Sequence, residues 1–398
     1  MKLDDLLRSR LGSETFSAAR INDTIAQALA SAGLDCRSGP MKEVTDVIRR
    51  SLQSAGLQHG DEAACDGEVI DVDDVREVPM PRQQLVGAGF AVGTGDDRQA
   101  AVGQFLRRTY RGPQGSRNYK LYVPASLAGD GAPLIVMLHG CTQSPDDFAA
   151  GTRMNQLAEA HGFLVAYPAQ SSRANRSRCW NWFVREHQRR GAGEPAILSG
   201  LVQEIAAQWR VDPARMFVAG LSAGAAMAVV LGREYPDLFS GIGAHSGLPH
   251  GAAHDLPSAL AAMKRRGRGG AGIDASPAAG SPRRVRTIVF HGDADATVHP
   301  ANSVAIAEHA VNGDPAASTP PLRKTTERGS ASSGCTYTRT IHRDSADRAV
   351  LEQWLIHGAG HGWSGGSASG SFTEPGGPDA SREIVRFFLE LDSAANAT

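Results

Sequence analysis

From about residue 105 onward, short apolar runs alternate with stretches of helical period. Residues 119–123 (YKLYV) alternate polar and apolar positions and predict an edge strand. Residues 134–138 (LIVML) are apolar throughout and predict a central one. Further strands are predicted at 163–167, 215–219, 241–245, 287–290 and 351–356, and helices at 146–161 and 198–209. A closing helix is expected over 382–391, with Asp379 and Ser381 as capping candidates. Near-continuous apolar strands alternating with helices imply an α/β fold whose mostly parallel sheet is covered on both faces. Residues 249–284 interrupt this rhythm with a possible helix (256–266) and a Gly/Ala/Pro/Ser tract, which reads as an insertion or a solvated loop.

The N-terminal part follows a different pattern. Residues 21–34 are echoed by 44–57 at an offset of 23 residues, with seven of fourteen positions identical. Apolar residues fall at i, i+4 and i+8 in both copies, and both end in Gly-Leu, a C-cap signature. Residues 1–57 therefore read as an amphipathic helical segment with an internal repeat. It would pack on the main domain, on a second subunit, or on a hydrophobic surface. Residues 58–104 read as an acidic and glycine-rich linker, and 105–393 as the main α/β domain.

Composition narrows the partners. With 41 Lys and Arg against 42 Asp and Glu, the formal net charge is −1, which offers no field for nucleic acid. No apolar stretch approaches the length of a membrane span, so no transmembrane segment is expected. The first ten residues carry early acids and no apolar h-region, which favours a cytoplasmic protein. Five cysteines are too few for a disulfide scaffold. Neither H-E-x-x-H nor paired zinc-ligand spacing occurs, so no metal and no cofactor are expected.

The candidate chemistry centres on Gly220-Leu221-Ser222-Ala223-Gly224. The pattern G-x-S-x-G recurs at Gly362-Trp363-Ser364-Gly365-Gly366, but that copy runs into Ser367-Ala368-Ser369-Gly370, which cannot propagate a helix. Only Ser222 lies between an apolar strand and a strong helix former, the setting of a nucleophile elbow. A serine hydroxyl needs a base, and the base needs an orienting carboxylate. On an α/β sheet these follow the serine in the order acid, histidine. Asp295, in His291-Gly292-Asp293-Ala294-Asp295, lies further past its strand than Asp293, which suits a turn or cap. His361, in the glycine-flanked loop Gly358-Ala359-Gly360-His361-Gly362, suits the base better than His357 at the strand end. Backbone donors for an oxyanion are expected at Ala223 and at Cys141, in the loop after strand 134–138.

Together, His139-Gly140-Cys141-Thr142-Gln143, Cys179-Trp180-Asn181-Trp182-Phe183, the Ser222 pentapeptide, His291 to Asp295 and Gly360-His361-Gly362-Trp363 resemble the poly(3-hydroxybutyrate) depolymerase family of esterases. Feruloyl and acetylxylan esterases share that catalytic apparatus. The resemblance covers about 105–392 and implies an α/β-hydrolase fold. It also implies Ser222, Asp295 and His361 as a triad, with Cys141 and Ala223 as oxyanion donors. The expected reaction is hydrolysis of hydroxyalkanoate esters through an acyl-enzyme, with feruloyl or acetyl esters of plant polysaccharide as the alternative substrates. A reading of another class makes the chain a granule-binding protein that reaches a polyester surface through its N-terminal helices. Secreted members of the family make an extracellular location the alternative to a cytoplasmic one. Trp363 and Trp182 are expected to line a groove for the substrate. Cys141 and Cys179 are either a bridge bracing the oxyanion loop or two reduced, buried thiols.

Overall fold

The computed structural model describes residues 103–127, 129–264, 285–312 and 321–390. The expected helical segment (1–57), all but the last two residues of the linker, and residues 265–284 of the insertion lie outside them.

Ten strands form one sheet. In chain order they are β1 (Gln104–Gly112), β2 (Gly115–Val123), β3 (Leu134–Leu138), β4 (Leu164–Pro168), β5 (Met216–Leu221), β6 (Gly241–His245), β7 (Arg286–Gly292), β8 (Arg323–Ser330), β9 (Thr336–Arg343) and β10 (Ala349–Ile356). Their spatial order is β1-β2-β4-β3-β5-β6-β7-β10-β9-β8. The six strands from β4 to β10 are mutually parallel, and an antiparallel pair extends the sheet at each end. A separate two-stranded ladder pairs β11 (Trp363–Ser364) with β12 (Thr373–Glu374).

The period of two along the central strands divides the core. Leu134, Val136, Leu138 and Val218 face one hydrophobic cluster; Ile135, Met137, Phe217, Ala219 and Leu221 face the other. The helices are α1 (Pro145–Thr152), α2 (Met154–His161), α3 (Gly193–Trp209), α4 (Ala223–Glu234), α5 (Leu256–Lys264), α6 (Ala301–Asn312) and α7 (Ala380–Leu389). The first cluster gathers Leu198, Leu201 and Ile205 of α3 and Met227 and Leu231 of α4. The second gathers Met154 and Ala158 of α2 and Ile384, Phe387 and Phe388 of α7. Each fully buried aliphatic or aromatic side chain contributes about 1.5–3 kcal/mol, so both faces are strongly held. This is the α/β-hydrolase fold.

Two expectations change, and a strand appears where none was expected. The strand at 119–123 is not an edge: β2 begins at Gly115 and is covered by β1 along its whole length. The helix expected over 146–161 is two helices, broken at Arg153 with φ 54°. Tertiary contacts explain the break, because the Arg153 guanidinium donates to Gly365 O at 2.6 Å while Gly151 is pressed against Gly370. Strand β8 (RKTTERGS) is exposed along nearly its whole length and has no apolar alternation to announce it. It forms by pairing with β9, and its charges suit an open sheet edge.

Candidate active site

Strand β5 ends at Leu221 and α4 begins at Ala223, so the whole reversal falls on Ser222, held at φ 57° and ψ −118°. A non-glycine residue there stores strain of order 1–3 kcal/mol and persists only where its surroundings enforce it. Ser222 N donates to His245 O at 2.9 Å, and Ala226 N donates back to Ser222 O at 3.0 Å. The flanking glycines are steric necessities: a Cβ at Gly224 would lie 2.1 Å from Leu138 O, and one at Gly220 2.5 Å from the Gly224 carbonyl carbon. Helix α4 can therefore start directly against the end of β3, leaving Ser222 half-buried at the carboxyl edge of the sheet.

Asp295 and His361 meet at the same edge, beyond β7 and β10. His361 Nδ1 donates to Asp295 Oδ2 at 2.7 Å. The other carboxylate oxygen accepts from Thr297 N and Val298 N, both at 2.8 Å. The Asp295 side chain is fully buried and that of His361 is 12% exposed, so only the histidine reaches the surface of the site. Burial pushes the Asp295 carboxyl upward, but hydrogen bonds from His291 and His361, the His361 charge and the Val298 amide outweigh it, leaving the group well below the usual carboxylate range. The structure thus holds a buried anion whose open direction is occupied by an imidazole. The rival residues pair with each other instead: His357 Nδ1 lies 2.8 Å from Asp293 Oδ2. Among the described residues Ser222 Oγ makes no hydrogen bond; the strand order β5-β6-β7-β10 puts it on the same edge of the sheet as the pair.

In the loop after β3 the amides on either side of Cys141 are engaged. Gly140 N donates to Gln143 Oε1 at 2.8 Å, Thr142 N to Ser177 O at 2.7 Å and Gln143 N to Gly140 O at 3.3 Å. The Cys141 amide donates to no group among the described residues. Ala223 is the first residue of α4, a position whose N–H has no intrahelical acceptor. A Cβ on Gly140 would lie 3.7 Å from Ser222 Cβ, so the loop adjoins the elbow. Of the two states open to Cys141 and Cys179, the structure has the disulfide. It ties the loop to the segment that carries Trp180.

Both expected groove tryptophans are core residues, and this corrects their assignment. Trp363 is 1% exposed; it packs edge-on against Phe148, stacks on His245 and donates from Nε1 to Ser381 Oγ at 3.0 Å. Trp182 is 5% exposed and packs edge-on against Phe183. Neither offers a ring face to a substrate, because each is enclosed by its own neighbours.

Sequence reasoning missed the residues that support the site. His245, on β6 between the elbow strand and the acid strand, holds Ser222 through its carbonyl and Ser364 N through Nε2 at 3.0 Å. His291 Nε2 lies 2.8 Å from Val298 O and 3.3 Å from Asp295 Oδ2. Behind the Cys141 loop, buried Glu194 accepts from Asn181 N at 2.8 Å and from Gln170 Nε2, and it faces Arg117 at 3.7 Å. Gln170 N in turn donates to His139 Nε2 at 3.1 Å. These residues run from Arg117 to His291, and although His139, Asn181 and His291 sit within the quoted motifs, no local spacing marks the supporting role of any of them.

Comparison with known proteins agrees with this architecture. The family model described as esterase PHB depolymerase matches residues 117–318. Poly(3-hydroxyalkanoate) depolymerase C of Paucimonas lemoignei is 31% identical over 252 residues, covering 61% of this chain and 57% of that protein. Acetylxylan esterase A of Aspergillus oryzae is 30% identical over 193 residues (46% and 62% of the two chains). Feruloyl esterase B of Neurospora crassa is 32% identical over 232 residues, or 56% and 76%. The chain thus spans about three fifths of the length of the first two relatives. Among solved structures, the acetyl xylan esterase from Aspergillus awamori superposes with a TM-score of 0.55 at 22% identity, covering 72% of this chain and 99% of that one, and shares the fold. With a matched region of 202 residues, half of the 398, the chain belongs to the esterase PHB depolymerase family.

Proposed function

We propose that this protein is a serine carboxylester hydrolase that works through an acyl-enzyme, with Ser222 as nucleophile, His361 as general base and Asp295 as its orienting anion. The carrying observation is the 2.7 Å contact between His361 Nδ1 and a buried carboxylate whose other oxygen is already held by two amides. That contact keeps the Nδ1 proton in place and leaves Nε2 as the basic nitrogen. Nε2 takes the Ser222 proton as Oγ attacks the ester carbonyl. Negative charge then develops on the carbonyl oxygen, where the Cys141 and Ala223 amides accept it, each contributing on the order of 3 kcal/mol. His361 returns the proton to the departing alcohol, and water repeats the sequence on the acyl-enzyme. Asp295 stays ionised throughout, since its environment strongly favours the anion.

The substrate class we favour is 3-hydroxyalkanoate esters, as oligomer or polymer, on the strength of the depolymerase relative. Acetyl or feruloyl esters of polysaccharide are the second reading, favoured by relatives of similar identity. Ser222→Ala should lower turnover of a short p-nitrophenyl acyl ester by about 10⁶-fold. An unchanged rate would remove the hydrolase reading. A panel of hydroxybutyrate oligomers, acetylated xylan and methyl ferulate then decides between the substrate classes.

A further inference from the structure

The mechanism uses Asp295 and His361 but leaves a second acid–imidazole pair, Asp293 and His357, two and four residues away. The parallel ladder between β7 and β10 ends at the pair Gly292 and Ile356. Beyond that last rung the two loops stay joined. Asp293 N donates to Ile356 O at 3.0 Å, and Ala294 N donates to Ala359 O at 3.1 Å. The Asp293 carboxylate adds two contacts, accepting from Gly358 N at 2.7 Å and His357 Nδ1 at 2.8 Å. Thr338 of β9 closes the far side, its hydroxyl lying 2.9 Å from His357 Nε2. The loops touch so closely that a Cβ on Gly292 would lie 2.2 Å from Ala359 O.

We propose that Asp293 is a positioning residue for His361, clamping the turn at 357–360 so that the imidazole arrives in register with Asp295, and that His357 is the strut fixing this clamp to β9. The reasoning is geometric. His361 lies five residues past the end of β10 and belongs to no helix or strand. A catalytic group must be held to within about 0.5 Å, and a loop achieves that only through supporting contacts. Four contacts between the 293–294 and 356–359 segments supply them, and Asp293 makes three. The orientation is self-consistent, with Nδ1–H donating to the carboxylate and Nε2 accepting from the Thr338 hydroxyl. The proposal rests on His361 being the catalytic base.

Steady-state kinetics on a p-nitrophenyl acyl ester test it with Asp293→Ala, His357→Ala and the double variant. Asp293→Ala should lower kcat by roughly 10- to 100-fold with KM held within about twofold, because the base is misplaced while the binding surface is untouched. His357→Ala should lower kcat less. The double variant should lose no more than Asp293→Ala alone, since both act through one clamp. The His361 Nδ1 proton, followed by NMR as a far-downfield resonance in the wild type, should broaden or vanish in Asp293→Ala. A kcat within twofold of wild type in Asp293→Ala would overturn the proposal, as would losses that add in the double variant. If Asp293→Ala does not fold, His357→Ala decides alone: its side chain is 36% exposed, and an unchanged kcat with an unchanged Nδ1 resonance counts against the clamp. His361→Ala is the separating control. If it retains activity, the esterase reading of His361 has failed; if it is inactive while Asp293→Ala is normal, only the clamp has.

Discussion

Two buried histidines should make this fold lose stability well above the pH at which its carboxylates titrate. His139 and His245 are each 1% exposed. His245 accepts the Ser364 amide on Nε2, and His139 accepts the Gln170 amide on Nε2 while Nδ1 donates to Gly140 O at 2.7 Å. A second proton on either ring would face a donor with no acceptor. Burial, aided by the nearby His291 and His361 charges and opposed by Asp295, pushes His245 down from 6.5 to about 3. Burial also dominates at His139, where Arg178 and Arg117 add to it and the Gly140 and Asp147 contacts oppose it, and the value falls to about 4. The folded pKa values lie below the unfolded ones, so between about 6.5 and 4 the unfolded chain binds more protons, and stability falls as pH falls. Each histidine contributes a slope of about 1.4 kcal/mol per pH unit, hence about 2.7 for the pair. At pH 5 the cumulative loss is about 4 kcal/mol, a large part of a typical total of 5–15. Urea denaturation at fixed ionic strength between pH 7.5 and 5, followed by tryptophan fluorescence, measures the slope. His245→Gln keeps an acceptor for Ser364 N but cannot take up a proton. Its slope should be shallower than that of the wild type by about 1.4 kcal/mol per unit. Equal slopes in the two proteins would refute the reasoning.

Two further outcomes concern loops that frame the site. The Cys141–Cys179 bridge spans 38 residues; replacing both cysteines by serine should cost up to about 4 kcal/mol, read from denaturation midpoints with and without reductant, and should lower esterase kcat by loosening the Cys141 amide. Phe372 is 47% exposed at φ 52°; Phe372→Asn relieves that backbone by roughly 1 kcal/mol but gives up a half-buried ring worth about as much, so its melting temperature should stay within a few degrees of the wild type, and a large drop would contradict this.

The order of strands β5, β6, β7 and β10 explains how residues 73 and 139 positions downstream of Ser222 share its edge of the sheet. Parallel strands bring all their carboxyl ends to one side, and the loops leaving those ends inherit the site. β6 contributes no expected catalytic group, yet it joins the others: the His245 carbonyl holds Ser222 N, and its ring holds the segment just past His361. Part of the acid lability and part of the candidate catalytic geometry therefore pass through one residue, His245.

The apolar runs of β3, β4, β5, β6, β7 and β10 were legible in the linear pattern because burial on both faces demands continuous hydrophobicity. So was the candidate site. Ser222, Asp295 and His361 follow from local context and chain order, because a nucleophile elbow and its partners occupy fixed positions relative to their strands. Strands β1, β8 and β9 were not legible. Their residues face water on at least one side, and pairing with a neighbouring strand rather than burial makes them strands. The fate of Trp363 and Trp182 lay equally beyond the sequence, since an aromatic beside a catalytic loop has the same spacing whether it lines a groove or fills a core. Sequence by itself determined which residues could do the chemistry, because that depends on functional groups and on the short-range backbone. Only the tertiary structure decided what holds them in place: the Asp293 clamp, the Glu194–Gln170–His139 chain and the disulfide. Those contacts join positions far apart in the chain, and no local energy term encodes them.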